Sequence, residues 1–235
     1  MRTLRARAGA LLTAAVAGSL LLAGCSAGSA PADAGASAPA VIAPANSTEF
    51  GLPAGSGPVE IGLWTDLSCP HCQSLEEIMG PDLQQWVADG DVSLTIHPLN
   101  FVSAKRGDAT EWSTRAANAL AAVADAGEAD RLPAFYALLQ EHQVTSDGAL
   151  TDDEIVALAS QAGVTADISD AVASQRFGAW VSASNEHWLG RTIGGTEQVV
   201  QGVPILVIDG AVFEIRGDGT DAQRIRDAVA TAIAA

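Results

Sequence analysis

Two strand-type runs, VEIGLWT (59–65) and VSLTIHPL (92–99), stand either side of a stretch of helical character. The first run leads within three residues to Cys69-Pro70-His71-Cys72. Residues 73–79 read as helix, and Gly80-Pro81 is expected to kink or break it, because proline lacks the helical donor and crowds the preceding turn. Residues 82–88 resume the helix, Gly90 ends it, and Pro98 is expected to cut the second strand short. This is a β–α–β unit with a cysteine pair at its first strand-to-helix junction. It sets an α/β class.

A helical block follows. Residues 111–126 carry Trp112, Ala116, Ala119, Leu120 and Val123 at helical spacing, and residues 132–142 repeat the pattern with Phe135, Leu138 and Leu139. Thr151-Asp152-Asp153-Glu154 fits a capping box, with Thr151 as cap and Glu154 reaching back. Residues 167–189 read as one long helix with Phe177, Trp180 and Trp188, the tryptophans being assigned to packing. Strand signals return in residues 204–210 and 211–215 around a tight Asp209-Gly210 turn, and residues 221–234 read as a closing amphipathic helix. The expected order is β–α–β, helices over about 108–190, then β–β–α.

The N-terminus has a different texture. Arg2, Arg5 and Arg7 precede an apolar run that is short for a membrane span, which favours a signal peptide. Leu22-Ala23-Gly24-Cys25 resembles the lipobox of bacterial lipoproteins, which implies a signal peptide over 1–24 and a lipid on Cys25. That resemblance puts the folded part at the outer side of the cytoplasmic membrane, where disulfides persist. Residues 25–58, rich in Ala, Pro, Gly and Ser, read as a tether, with the folded domain over 59–235. The single lysine, Lys105, and eleven arginines face 28 acidic residues, for a net charge of -16. Nucleic acid is thereby excluded as a partner, since phosphate binding needs clustered cations.

With Cys25 committed to lipid, Cys69 and Cys72 have only each other. A structural zinc needs four ligands, and His97, His142 and His187 are scattered singly, so no metal is expected. Covalent haem needs a histidine after the second cysteine, where Gln73 stands, and no other cofactor is indicated. A purely structural disulfide closing so short a loop stabilises little. A reactive dithiol fits better. Cys69 falls at a helix start, where unpaired N–H groups and the helix dipole favour a thiolate. His71 is expected to add to this and Pro70 to hold the turn. Cys72, one turn inward, is expected to be the less exposed thiol.

CPHC after a strand, a helical insertion, and a late Gly202-Val203-Pro204 before a strand together resemble the DsbA-like branch of the thioredoxin superfamily, over roughly 59–234. The resemblance implies a thioredoxin-like fold with a helical insertion. It also implies that Cys69 attacks, Cys72 resolves, Pro204 is cis, and Val203 presents its backbone to an extended substrate. The implied activity is thiol–disulfide oxidoreduction, donating disulfides to reduced secreted proteins, with a membrane redox partner for recycling. No dimerisation module is visible, so a monomer is expected. A reductase, a non-catalytic binding lipoprotein and a metallochaperone remain as alternatives. The family's buried acid, six positions before the first cysteine, is replaced by Leu63. Asp66 either caps the turn or serves as a displaced proton acceptor, while Glu76 and Glu77 are expected at the surface near the helix start. His97 is expected to be structural, and Trp64 to be core or a groove wall.

Overall fold

The computed structural model describes residues 40–144 and 148–235. The expected signal peptide, Cys25 and the tether up to residue 39 lie outside the described residues.

Five strands form one sheet in the order β1-β3-β2-β4-β5. These are β1 (Leu52–Gly55), β2 (Val59–Asp66), β3 (Val92–Leu99), β4 (Ile205–Ile208) and β5 (Ala211–Phe213). β2 and β3 run parallel, as a crossover through helix α1 (Pro70–Asp89) requires, and the other pairings are antiparallel. α1 packs against α4 (Leu132–Glu141) and α8 (Asp221–Ile233). The sheet alternates cleanly. Ile61, Leu63, Leu94, Ile96, Leu206 and Ile208 join the main core with Leu75, Met79 and Leu83 of α1. Trp64, Leu99, Ile205 and Val207 face the other way and pack with Trp188 of α7 (Gly178–Trp188).

Four expectations about the backbone need correction. The tether is shorter at its C-terminal end than 25–58, because Leu52–Gly55 pairs antiparallel with β3, Leu52 opposite Ile96. Its Pro-Ala-Gly composition disguised an edge strand, the one place in a sheet where proline is tolerated. Secondly, α1 runs unbroken through Pro81. The exposed Pro81 removes one donor, and the helix continues to Gly90, whose φ of 77° closes it. Thirdly, β3 continues through Pro98, because β1 starts opposite Ile96 and leaves the edge beyond it unpaired.

Lastly, the long helix expected over 167–189 is two helices, α6 (Ser169–Ala173) and α7. Gln175, at φ 52°, turns the chain between them. Buried Asn118 of α3 (Trp112–Asp125) fastens the break, accepting from Phe177 N at 2.7 Å and donating to Ala171 O at 3.1 Å. The capping box at α5 (Asp152–Gln161) forms in both directions, and Asp209 and Gly210 both adopt positive φ in the β4–β5 hairpin. A short helix absent from the sequence reading, α2 (Phe101–Arg106), follows β3.

Candidate active site

β2 delivers the chain to Asp66, whose carbonyl accepts from Cys69 N at 3.0 Å. That turn leaves Cys69 as the N-cap of α1, with φ -90°, ψ 116° and Pro70 at the first helical position. The Cys69 carbonyl already serves the helix, accepting from Cys72 N and Gln73 N. No side chain caps this end, and the first amides of the helix stand close to the Cys69 sulfur. The Cys72 thiol donates to that sulfur, as do the backbone N–H groups of Cys72 and His71, and together they pull the Cys69 thiol down to about 6 against the opposing effect of burial. Burial drives Cys72 the other way, well above the ordinary thiol range. His71 therefore acts on the sulfur through its main chain. Its side chain is exposed and lines a neighbouring groove.

Val203 and Pro204, 134 residues away from the pair, arrive through the turn into β4. Their peptide bond is cis, and Val203 O lies 3.6 Å from Cys69 Sγ. Beside them runs an apolar groove of about 560 Å³, lined among others by His71, Leu75, Ile78, Val203, Pro204 and Ile215. Cys69 and Cys72 are both free thiols, and Cys69 is the more accessible, as expected. The margin is small, however: 5% of its surface is exposed against 1% for Cys72. Val102 packs with both cysteines, and Phe101 and Val203 close over them. Among the described residues no group of three His, Cys, Asp or Glu side chains converges as metal ligands would.

The closure comes from α2, and Asp66 holds α2 in place. One Asp66 carboxylate oxygen accepts from Ser68 N at 2.9 Å and from Ser113 Oγ at 2.5 Å, and the other accepts from Val102 N at 2.9 Å. Ser68, Ser103 and Ser113 bond one another, Ser103 donates to Asp108 at 3.0 Å, and Arg106 donates to Ser68 O at 2.8 Å. Burial pushes the Asp66 carboxyl above its ordinary range, and these hydrogen bonds resist the push. Of the two roles open to Asp66, the geometry matches the one that fixes the turn.

Leu63 is core. A different acid is buried close by. Glu76 is 7% exposed, and loss of water raises its carboxyl to about 8. This corrects its assignment to the surface, whereas Glu77 is exposed as expected. Gly80 makes the burial possible: a methyl there would fall on the Glu76 carboxyl. The signal was present in the sequence. Residues 72, 75, 76, 79 and 83 form one helical stripe, and Glu76 sits on it among apolar side chains.

His97 and Trp64 stack at 4.3 Å between centroids and 10° between planes, with Trp188 edge-on to both. Burial lowers His97 to about 4, so it is neutral packing material, and Trp64 is core and not a groove wall.

Comparison with known proteins adds the family. A family model described as thioredoxin matches residues 52–228. No curated protein matches. The chain is similar in structure to MdbA, a thiol-disulfide oxidoreductase from Corynebacterium diphtheriae, at 21% identity and TM-score 0.59, covering 77% of this chain and 90% of that one. MdbA from Actinomyces oris gives 20% identity and TM-score 0.62 over 78% and 88%. DsbA from Mycobacterium tuberculosis gives 18% and 0.56 over 79% and 98%. At these identities the likeness speaks for the fold.

Proposed function

Since this chain belongs to the thioredoxin family, we propose that it is a thiol–disulfide oxidoreductase that donates disulfides to reduced secreted proteins through Cys69 and Cys72. The asymmetry of the two sulfurs carries the reading. A thiol drawn down to about 6 beside one held well above the ordinary range makes Cys69 the better leaving group. A disulfide that releases so stable a thiolate is readily reduced, and is therefore an oxidant.

In the oxidised protein, a substrate thiolate attacks Cys69 Sγ. The Cys69–Cys72 bond breaks, a substrate–Cys69 bond forms, and Cys72 leaves with the electron pair and takes a proton from water. A second substrate thiolate then attacks the substrate sulfur of the mixed disulfide. The substrate is released oxidised, and Cys69 departs as a thiolate. The groove beside Pro204 suits an extended apolar segment, with the Val203 backbone at its edge. A membrane oxidase would restore the disulfide by accepting the two electrons. The leader and Cys25 support lipid anchoring outside the cytoplasmic membrane, with the domain acting as a monomer.

Equilibration in glutathione buffers followed by alkylation tests this. The expected potential is about -200 mV or higher, towards the range of oxidants and away from thioredoxin. A value near about -270 mV would reverse the direction to reduction, and an unchanged rate of substrate oxidation in Cys69→Ser would remove the cysteine mechanism.

A further inference from the structure

The groove beside Pro204 has walls of two kinds. One is α1, a regular helix anchored in the main core, which contributes Ser74, Leu75 and Ile78. The other is the connection from β5 to α8, residues 214–220, which contributes Ile215, Arg216, Gly217 and Gly219. Every residue of that connection is exposed, and none of its side chains joins the hydrophobic core. Gly217, at φ 66°, and Gly219, at φ 85°, occupy the left-handed region. Ile78 and Ile215 are large and apolar yet 37% and 36% exposed, and both line this groove, one from each wall.

A buried acid on α8 holds the second wall. Asp221 is 2% exposed, and the thiol exchange makes no use of it. One carboxylate oxygen accepts from Arg216 N at 2.9 Å and from Gly217 N at 2.7 Å. The other accepts from Arg224 Nη1 at 2.6 Å, and the same nitrogen donates to Glu214 O at 2.9 Å. The Arg224 guanidinium lies over the Phe213 ring, 4.6 Å from its centre, which seats it beneath the loop. The backbone at Glu214, Arg216 and Gly217 is thereby tied to the first turn of α8. Bonds of this charge-assisted kind are about twice as strong as neutral ones. Asp218 closes the rest of the loop, accepting from Thr220 N at 2.9 Å and from Thr220 Oγ1 at 2.6 Å.

We propose that Asp221 and Arg224 are positioning residues for substrate recognition. They fix the loop wall that carries Ile215, and so preform the groove for an extended substrate segment with a bulky apolar side chain beside its thiol. An exposed loop with two glycines has many conformations open to it, and a substrate that had to order the loop would bind more weakly. With the wall held beforehand, that ordering is complete before the substrate arrives. None of these bonds involves either sulfur, so the latch acts on binding and leaves the exchange to Cys69 and Cys72. The inference rests on the redox reading above and adds the feature of the substrate that the site reads.

The test is steady-state oxidation of two reduced dithiol peptides of equal length, with glutathione disulfide as terminal oxidant. One peptide has leucine beside its first cysteine and the other has serine there. The parent is expected to favour the leucine peptide through KM. Asp221→Ala is expected to raise KM for that peptide about fivefold, the equivalent of ordering one or two side chains on binding, with kcat changed less than about twofold. Asp221→Asn keeps an oxygen for the two loop amides and restores most of the difference. Arg224→Met keeps the stem over Phe213, loses the bond to Glu214 O, and moves KM in the same direction as Asp221→Ala but less. Should Asp221→Ala fail to fold, Arg224→Met carries the measurement. An unchanged KM in Asp221→Ala, a fall in kcat without a rise in KM, or a parent that takes both peptides with the same KM overturns the latch, while peptide oxidation by the parent keeps the oxidoreductase reading intact. A parent that oxidises neither peptide overturns both.

Discussion

Replacing Glu76 with glutamine should make the protein more stable, by an amount that grows with pH. In the unfolded chain this carboxyl titrates near its ordinary 4.5, and in the folded protein near about 8. Because the folded value is the higher one, the native state keeps the proton over that window after the unfolded state has released it. The parent's stability is therefore fully present below about pH 4.5, declines as pH rises towards 8, and levels off beyond. At about 1.4 kcal/mol per pH unit, the interval sets an upper limit of about 5 kcal/mol, and relaxation around the charge brings the expectation to about 3–5 kcal/mol. Glutamine has nearly the same shape, fits the space that Gly80 leaves, and never ionises. Urea unfolding of both reduced proteins, followed by tryptophan fluorescence at pH 5, 7 and 9, gives the difference directly. Every other titrating group is common to the two proteins and cancels. The variant should exceed the parent by only about 1 kcal/mol at pH 5 and by the full amount at pH 9. A difference constant across that range, or one that shrinks with pH, would refute the buried-acid argument.

Three further outcomes follow from the same geometry. Gly80→Ala puts a methyl where the Glu76 carboxyl sits and should lose about 1–3 kcal/mol. The loss should shrink in a Glu76→Ala background, and equal losses in both backgrounds would mean the crowding lies elsewhere. Asp66→Ala strands the donors from Ser68, Val102 and Ser113, which should cost about 3 kcal/mol or more. It should also speed hydrogen exchange at the Val102 amide, whereas an unchanged exchange rate there would separate Asp66 from the placement of α2. Phe101→Ala should raise the alkylation rate of Cys69 several-fold at matched thiolate fraction, and no change would show that Phe101 does not limit access.

Much of this molecule could be read along the chain, because its strongest signals are local. Strand composition, the Cys-Pro-His-Cys junction, the Thr151 capping box and the Asp209-Gly210 turn all depend on residues within a few positions of one another, and each forms as its own chemistry dictates. The placement of Cys69 at a helix start is of this kind, and the amide donors to its sulfur follow from it. What the chain order could not reveal is what lies across the fold from the pair. β1 owes its existence to the free edge of β3, and the break between α6 and α7 to the reach of Asn118 from another helix. Asp66 bonds residues 36 and 47 positions away, Thr65 meets Tyr136 71 positions on, and α2 lowers Phe101 and Val102 over the sulfurs. Burial, which sets Glu76 and Cys72 against their ordinary ionisation, is a property of the packed whole. Backbone preference and helix ends act over single turns, and so the sequence alone determined where the reactive sulfur stands. Desolvation and long-range hydrogen bonds exist only after the chain has closed, and so the tertiary structure decided what surrounds that sulfur and how far its surroundings stabilise its charge.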